Sequence, residues 1–170
     1  MDDHRHLEEL ARRLWDERRV VEYLLFKLTA TKLLLAADER RFTAHALREV
    51  ERAVDLLRDE EERRDAAVRD LAEHWGLDPS QLTLTEVARR SPAPFDHTFH
   101  DHHDAFRHLA EEIEHLTAEN RSLVRTQLDQ VTASIDLLTG EADPGPTTYD
   151  ASGSVDGAPS PVGAQLRKAL

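Results

Sequence analysis

The chain has 170 residues, of which 22 are basic and 34 acidic, so its formal net charge is −12. That acidic balance excludes nucleic acid and anionic membrane surfaces as natural partners, and the lack of cysteine excludes disulfide, thiol and zinc-thiolate chemistry. Residues 1–139 contain a single glycine, Gly76, against five in the last 31 residues, so the body lacks the turn glycines of a dinucleotide fold, a P-loop or a β-sandwich.

With 39% hydrophobic and 33% charged residues, the apolar content suits helices that each bury one stripe. No apolar run approaches the roughly 20 residues needed to span a bilayer. The opening Met1-Asp2-Asp3-His4 lacks the basic-then-apolar order of a signal peptide, so a cytoplasmic protein without membrane insertion is expected.

The first segment, about residues 3–37, places Leu7, Leu14, Val21, Leu28 and Leu35 seven residues apart. Leu10 and Leu24 follow members of that series by three, which is the spacing of a helical seam. Glu17 and Thr31 fall in the same seam and make it imperfect. Leu47, Val50, Val54 and Leu57 start a second seam in a helix over about 43–75, with Asp38 or Thr43 as its cap. Glu61 and Arg64 interrupt that seam before Val68, Leu71 and Trp75 resume it. Gly76 then suits a left-handed helix stop.

A connector with a short helix at about 85–90 leads to a third long helix, about 96–139. Its stripe runs through Phe99, Phe106, Leu109, Ile113, Leu116 and Leu123, then shifts phase to Val124, Leu128, Val131, Ile135 and Leu138. That slip is a stutter, which rotates the apolar stripe about the helix. The pattern predicts an all-α protein: an elongated antiparallel three-helix bundle over residues 1–140 and a disordered, Pro/Gly/Ser-rich tail over 141–170. The third helix should outreach the other two, and its under-covered end is suited to packing against a helix of a partner. The same spacing would also serve as bundle core. Trp15 and Trp75 stand in helical register and are expected to cap that core.

Five of the ten histidines fall between His97 and His108. His97, His100, His103 and Asp104 include pairs one helical turn apart, a spacing that can hold Zn²⁺ or Ni²⁺. A solvated first turn of a helix explains the same residues. Glu112 and His115 match half of a di-iron pattern, with no second half elsewhere. No nucleophile elbow or phosphate cradle is present, so no enzyme activity and no cofactor are expected.

Two stretches carry more than periodicity. One runs from Asn120 through Leu123, Val124, Leu128, Val131 and Ile135 to Leu137-Leu138-Thr139-Gly140, and the other is Tyr149-Asp150-Ala151-Ser152-Gly153. Together with the acidic helical hairpin upstream, they resemble the FlgN family of flagellar export chaperones. The resemblance implies a cytoplasmic chaperone that binds hook-associated proteins of the hook–filament junction and delivers them to the flagellar type III export gate. It implies a cargo-binding face at Asn120, Leu123, Val124, Leu128, Val131, Ile135 and Leu138. Tyr149, with Gly153 permitting a turn, would dock the gate or another partner. Homodimerisation stays open. Two other functions fit the residues alone: a structural helical adaptor that self-associates through its exposed stripe, and a histidine-rich metal-binding bundle.

Overall fold

The computed structural model describes residues 2–139, and the proposed tail with Tyr149 and Gly153 lies outside them. The described residues form α1 (Asp2–Ala36), α2 (Arg40–Trp75), a 3₁₀ turn (Pro79–Gln81), α3 (Leu84–Arg90) and α4 (Phe95–Thr139), with no strand among them. The described residues are all-helical in class.

Helix α1 is the element on which the others depend, because α2 and α4 both pack along it. Every position of its seam is buried: Leu7, Leu10, Leu14, Glu17, Val21, Leu24, Leu28, Thr31 and Leu35. Most of the stability of this helix comes from packing that stripe against its neighbours rather than from helix propensity. Helix α2 returns antiparallel to α1. Lys27 pairs with Glu49 near the turn, and the Trp75 indole N–H donates to Asp3 at 2.7 Å at the far end. Helix α4 runs parallel to α1, with Phe95 against His4 at its start and Lys32 paired with Glu119 well along it. Helix α3 packs on α4.

The turn between α1 and α2 is shorter than the sequence suggests. Asp38 adopts a left-handed backbone (φ 55°), which an aspartate tolerates, and α2 begins at Arg40. Thr43 is therefore inside the helix, and neither it nor Asp38 is the cap: Glu39 holds that position without a side-chain hydrogen bond. Asp38 accepts from the Arg40 guanidinium instead. At the other end, Gly76 has φ 65°, its N–H reaches the Glu73 carbonyl and the Leu77 N–H reaches the Ala72 carbonyl. That double closure satisfies carbonyls that α2 would otherwise leave orphaned. Thr83 caps α3 by accepting from the Glu86 N–H.

The two tryptophans behave differently from a core-capping pair. Trp75 is half-buried and tied to Asp3, while Trp15 is 52% exposed, with its ring edge-on to the buried His102 at 4.8 Å.

Glu17 is the costly residue of the seam. Its Oε1 accepts from Arg64 at 2.8 Å, while Oε2 is buried without a partner. Burial pushes its carboxyl up to about 7, against the pull of Arg64 and with the help of Glu61, Asp65 and Glu60. Below pH ~4.5 Glu17 is protonated in both folded and unfolded chains. Between pH 4.5 and 7 the folded protein keeps a proton that the unfolded chain has released, so this residue makes stability fall as pH rises. The slope is at most about 1.4 kcal/mol per pH unit. Urea unfolding of wild type and Glu17→Gln across this window should therefore show the variant gaining on wild type as pH increases. A difference independent of pH would contradict the assignment.

Candidate docking site

Helices α1 and α4 are held in register by two side-chain amides. Asn120 donates from Nδ2 to the Leu28 carbonyl, and Gln127 donates from Nε2 to the Leu35 carbonyl, both at 2.9 Å. Leu35 lies in the last turn of α1, and its carbonyl accepts from the Asp38 N–H of the turn as well as from Gln127. These two amides occupy the positions that Phe99, Phe106 and Ile113 hold earlier along α4, seven residues apart. The face of α4 turned to α1 thus changes from apolar to polar at Asn120.

The apolar stripe rotates part of the way round the helix at the same point. Gln127 is level with Leu35, so residues 128–139 continue beyond the end of α1 for roughly 18 Å at about 1.5 Å per residue. Exposure along this stripe runs from 37% at Val131 and 39% at Val124 to 87% at Leu138, with Leu128 and Ile135 above half. Leu123 is half-buried. Asn120 differs from the rest of the expected face: it is 8% exposed and holds the helix in place from inside. Leu137, 79% exposed, joins the surface although the stripe spacing passes over it.

The stripe continues toward a gap between α2 and α4, which share no packed interface comparable to the ones each forms with α1. Lys27 with Glu49 and Lys32 with Glu119 mark the outer flanks of the α1–α2 and α1–α4 contacts. Leu47 is two residues from Glu49, roughly 200° around α2, and Val124 is five from Glu119, roughly 140° around α4. Both therefore stand on the inner flanks, where α2 and α4 face each other, and both are exposed. At the opposite end, the 3₁₀ turn and α3 partly fill the corresponding space. They leave a cleft of about 550 Å³ between Leu10, Leu14 and Val68 on one side and Leu82, Leu84 and Val87 on the other. Leu47 was legible as apolar but not as exposed, because its spacing also fits a seam.

The histidine cluster does not assemble. His97 is exposed, the His100 ring donates to the Asp96 carbonyl of its own helix, and His103 bonds Asp104. Among the described residues no group of three or more His, Cys, Asp or Glu could hold a metal ion. His102 takes a different role: it is buried beside Trp15 and Phe106 with neither ring nitrogen bonded. Burial and the nearby Arg18 push its pKa down to about 4, so it packs as a neutral aromatic ring.

No helix among the described residues is long and apolar enough to cross a membrane. Comparison with known families finds one whose description is FlgN protein, matching residues 1–157. No significant match is found to a curated protein or to a solved structure.

The two halves of α4 should respond differently to substitution. Asn120→Ala removes a buried hydrogen bond and should cost about 1 kcal/mol in urea unfolding. Leu128→Ser and Ile135→Ser, on the exposed stripe, should stay within about 0.5 kcal/mol of wild type. Equal losses for all three would show that the stripe is core.

Proposed function

The chain belongs to the FlgN family of flagellar export chaperones, and we propose that it works as the cytoplasmic chaperone of hook-associated proteins and hands them to the flagellar type III export gate. The family is one of chaperones, not enzymes. The observation that carries the finer reading is the length of apolar helix that α4 holds out beyond α1.

In this reading the helices act as an elongated three-helix bundle with an unfinished end. An amphipathic helix of the cargo lies along Leu123, Val124, Leu128, Val131, Ile135 and Leu138 and enters the space flanked by Leu47. Two apolar stripes that are each exposed alone are covered together, which is the usual driving force for helix-in-groove recognition. The chaperone thereby masks cargo segments that would otherwise self-associate. Asn120 and Gln127 contribute by positioning: they hold α4 on α1 so that the stripe faces outward. Tyr149 and Gly153 follow α4 at a distance that suits a tethered anchor for the gate, and an aromatic anchor of this kind can contribute ~2 kcal/mol or more.

Co-expression with hook-associated proteins tests the reading. Wild type should yield a soluble complex, whereas Leu128→Glu with Ile135→Glu should remain folded by circular dichroism and lose it. Tyr149→Ala should keep the cargo complex and lose binding to the gate. A cargo complex that survives both glutamates would place the binding face elsewhere.

A further inference from the structure

The outer face of the α1–α2 hairpin is a second exposed apolar surface, and it differs in kind from the α4 stripe. Trp15, Phe26 and Leu33 stand 11 and 7 residues apart, so they fall within about 20° of one line along α1. Phe26 is two residues from both Leu24 and Leu28 of the seam. It lies roughly 160° from each, which puts that line on the side of α1 opposite its core. On α2, Phe42 and Leu56 lie seven residues either side of Glu49, whose bond to Lys27 marks the outer flank. Tyr23, four residues before Lys27, completes the belt. All six side chains are 40–64% exposed. The α4 stripe is aliphatic, whereas this belt holds four aromatic rings, each with a cation over its face. Arg18 covers Trp15, Lys27 covers Tyr23 and Phe26, and Arg41 covers Phe42. Such a surface suits a segment that combines an aromatic side chain with carboxylates.

Basic charge gathers on the same hairpin. Residues 18–57 hold 8 basic and 6 acidic side chains, while residues 2–17 and 58–139 together hold 12 basic against 24 acidic. Arg19, four residues after Trp15 and seven before Phe26, stands on the belt, and among the described residues it pairs with no carboxylate. The chain carries a matching segment. Residues 141–156 contain Tyr149 and four acids, Glu141, Asp143, Asp150 and Asp156, and no base. The end of α4, residues 116–139, has 3 acidic and 2 basic side chains, so it offers that segment no attraction.

The lengths agree as well. Gln127 is level with Leu35, so Thr139 stands about 21 Å above Leu33. The ten residues from there to Tyr149 span up to about 33 Å, enough to cross from α4 to the outer side of α1. Asp156 is seven residues further on, or ~23 Å of extended chain. Arg19 is fourteen residues from Leu33, or ~21 Å of helix.

From these features we infer that residues 141–156 dock back along the outer face of the hairpin, with Tyr149 at the Leu33–Phe42 end and Asp156 at Arg19. The tether holds the segment at about millimolar effective concentration, so contacts too weak to recruit a free peptide suffice. The consequence rests on the reading of Tyr149 as the gate anchor: the docked segment withholds Tyr149 from the gate until a partner displaces it.

The chain has no cysteine, so Ser152→Cys accepts a single nitroxide. In the dilute, full-length protein it should broaden the amide signals of Phe26, Leu33 and Phe42 and leave those of α3 unchanged. Arg19→Asp and Asp156→Arg should each cut that broadening about twofold, and the two together should restore it. Phe26→Ser with Leu33→Ser should abolish it. An unbroadened belt, equal broadening of every exposed helix face, or a double charge variant as weak as the single ones overturns the inference. So does broadening that arises only between a labelled chain and an unlabelled one, because the belt then takes a second copy. Gate binding separates the two claims. With the segment docked, the Phe26→Ser, Leu33→Ser chain should bind the gate about fivefold more tightly than wild type. A docked wild-type segment whose Tyr149→Ala variant binds the gate undiminished supports the docking and removes the gate anchor. Loss of gate binding by Tyr149→Ala in a chain whose segment never docks overturns the docking alone.

Discussion

The burial of one continuous stripe on α1 is the interaction from which the rest of the molecule follows. Its seam runs without a gap from Leu7 to Leu35, and both long partners lie on it rather than on each other. A single helix that serves two neighbours sets a limit on both. Where α1 ends at Ala36, α4 loses its support, yet α4 continues to Thr139. The exposed segment is thus a direct consequence of unequal helix lengths around a shared spine. The gap between α2 and α4 has the same origin, because neither helix is held against the other.

Amide side chains convert that length difference into an oriented surface. Had α4 kept its apolar phase past Ile113, the stripe would have faced α1 and then ended in water as a frayed continuation of the core. Asn120 and Gln127 instead give α1 polar contacts at Leu28 and Leu35, and the phase shift rotates Val124, Leu128, Val131 and Ile135 part of the way round the helix. Asn120 is half satisfied: its amide N–H donates to the Leu28 carbonyl while its Oδ1 is buried without a partner, and half-buried Gln127 adds a second donor to the Leu35 carbonyl. Polar residues in this stretch act as a direction setter. Elsewhere in the seam they act as a liability: Glu17, half satisfied by Arg64, weakens the middle of the α1–α2 contact as its proton is lost.

Much of this is legible in the residues, because periodicity reports which face of a helix is covered. The α1 heptads mark all nine buried positions, including the polar Glu17 and Thr31, and Gly76 marks the end of α2. The stutter near Asn120 and the greater length of α4 also stand in the sequence. What periodicity cannot convey is which neighbour covers a face, or whether any does. Leu47 fits a seam and is exposed, and Trp15 is apolar but more than half solvated. Asn120 reads as part of the docking stripe, although its amide is spent on a carbonyl 92 residues away. His102 is indistinguishable in sequence from the solvated histidines around it, and only its place opposite Trp15 makes it a buried neutral ring. The start of α2 is missed because a left-handed Asp38 replaces the glycine that usually signals such a turn.

The central claim is that residues 128–139 are helix held out for a partner, beyond a body closed by Asn120 and Gln127. Hydrogen–deuterium exchange of the dilute, full-length chain, alone and with a hook-associated protein, tests it most directly. Amides of residues 113–127 should be protected in both states, while those of 128–139 should exchange rapidly alone and become protected in the complex. Protection of 128–139 that is already complete without cargo in a monomer, or that does not change when cargo binds, would contradict it.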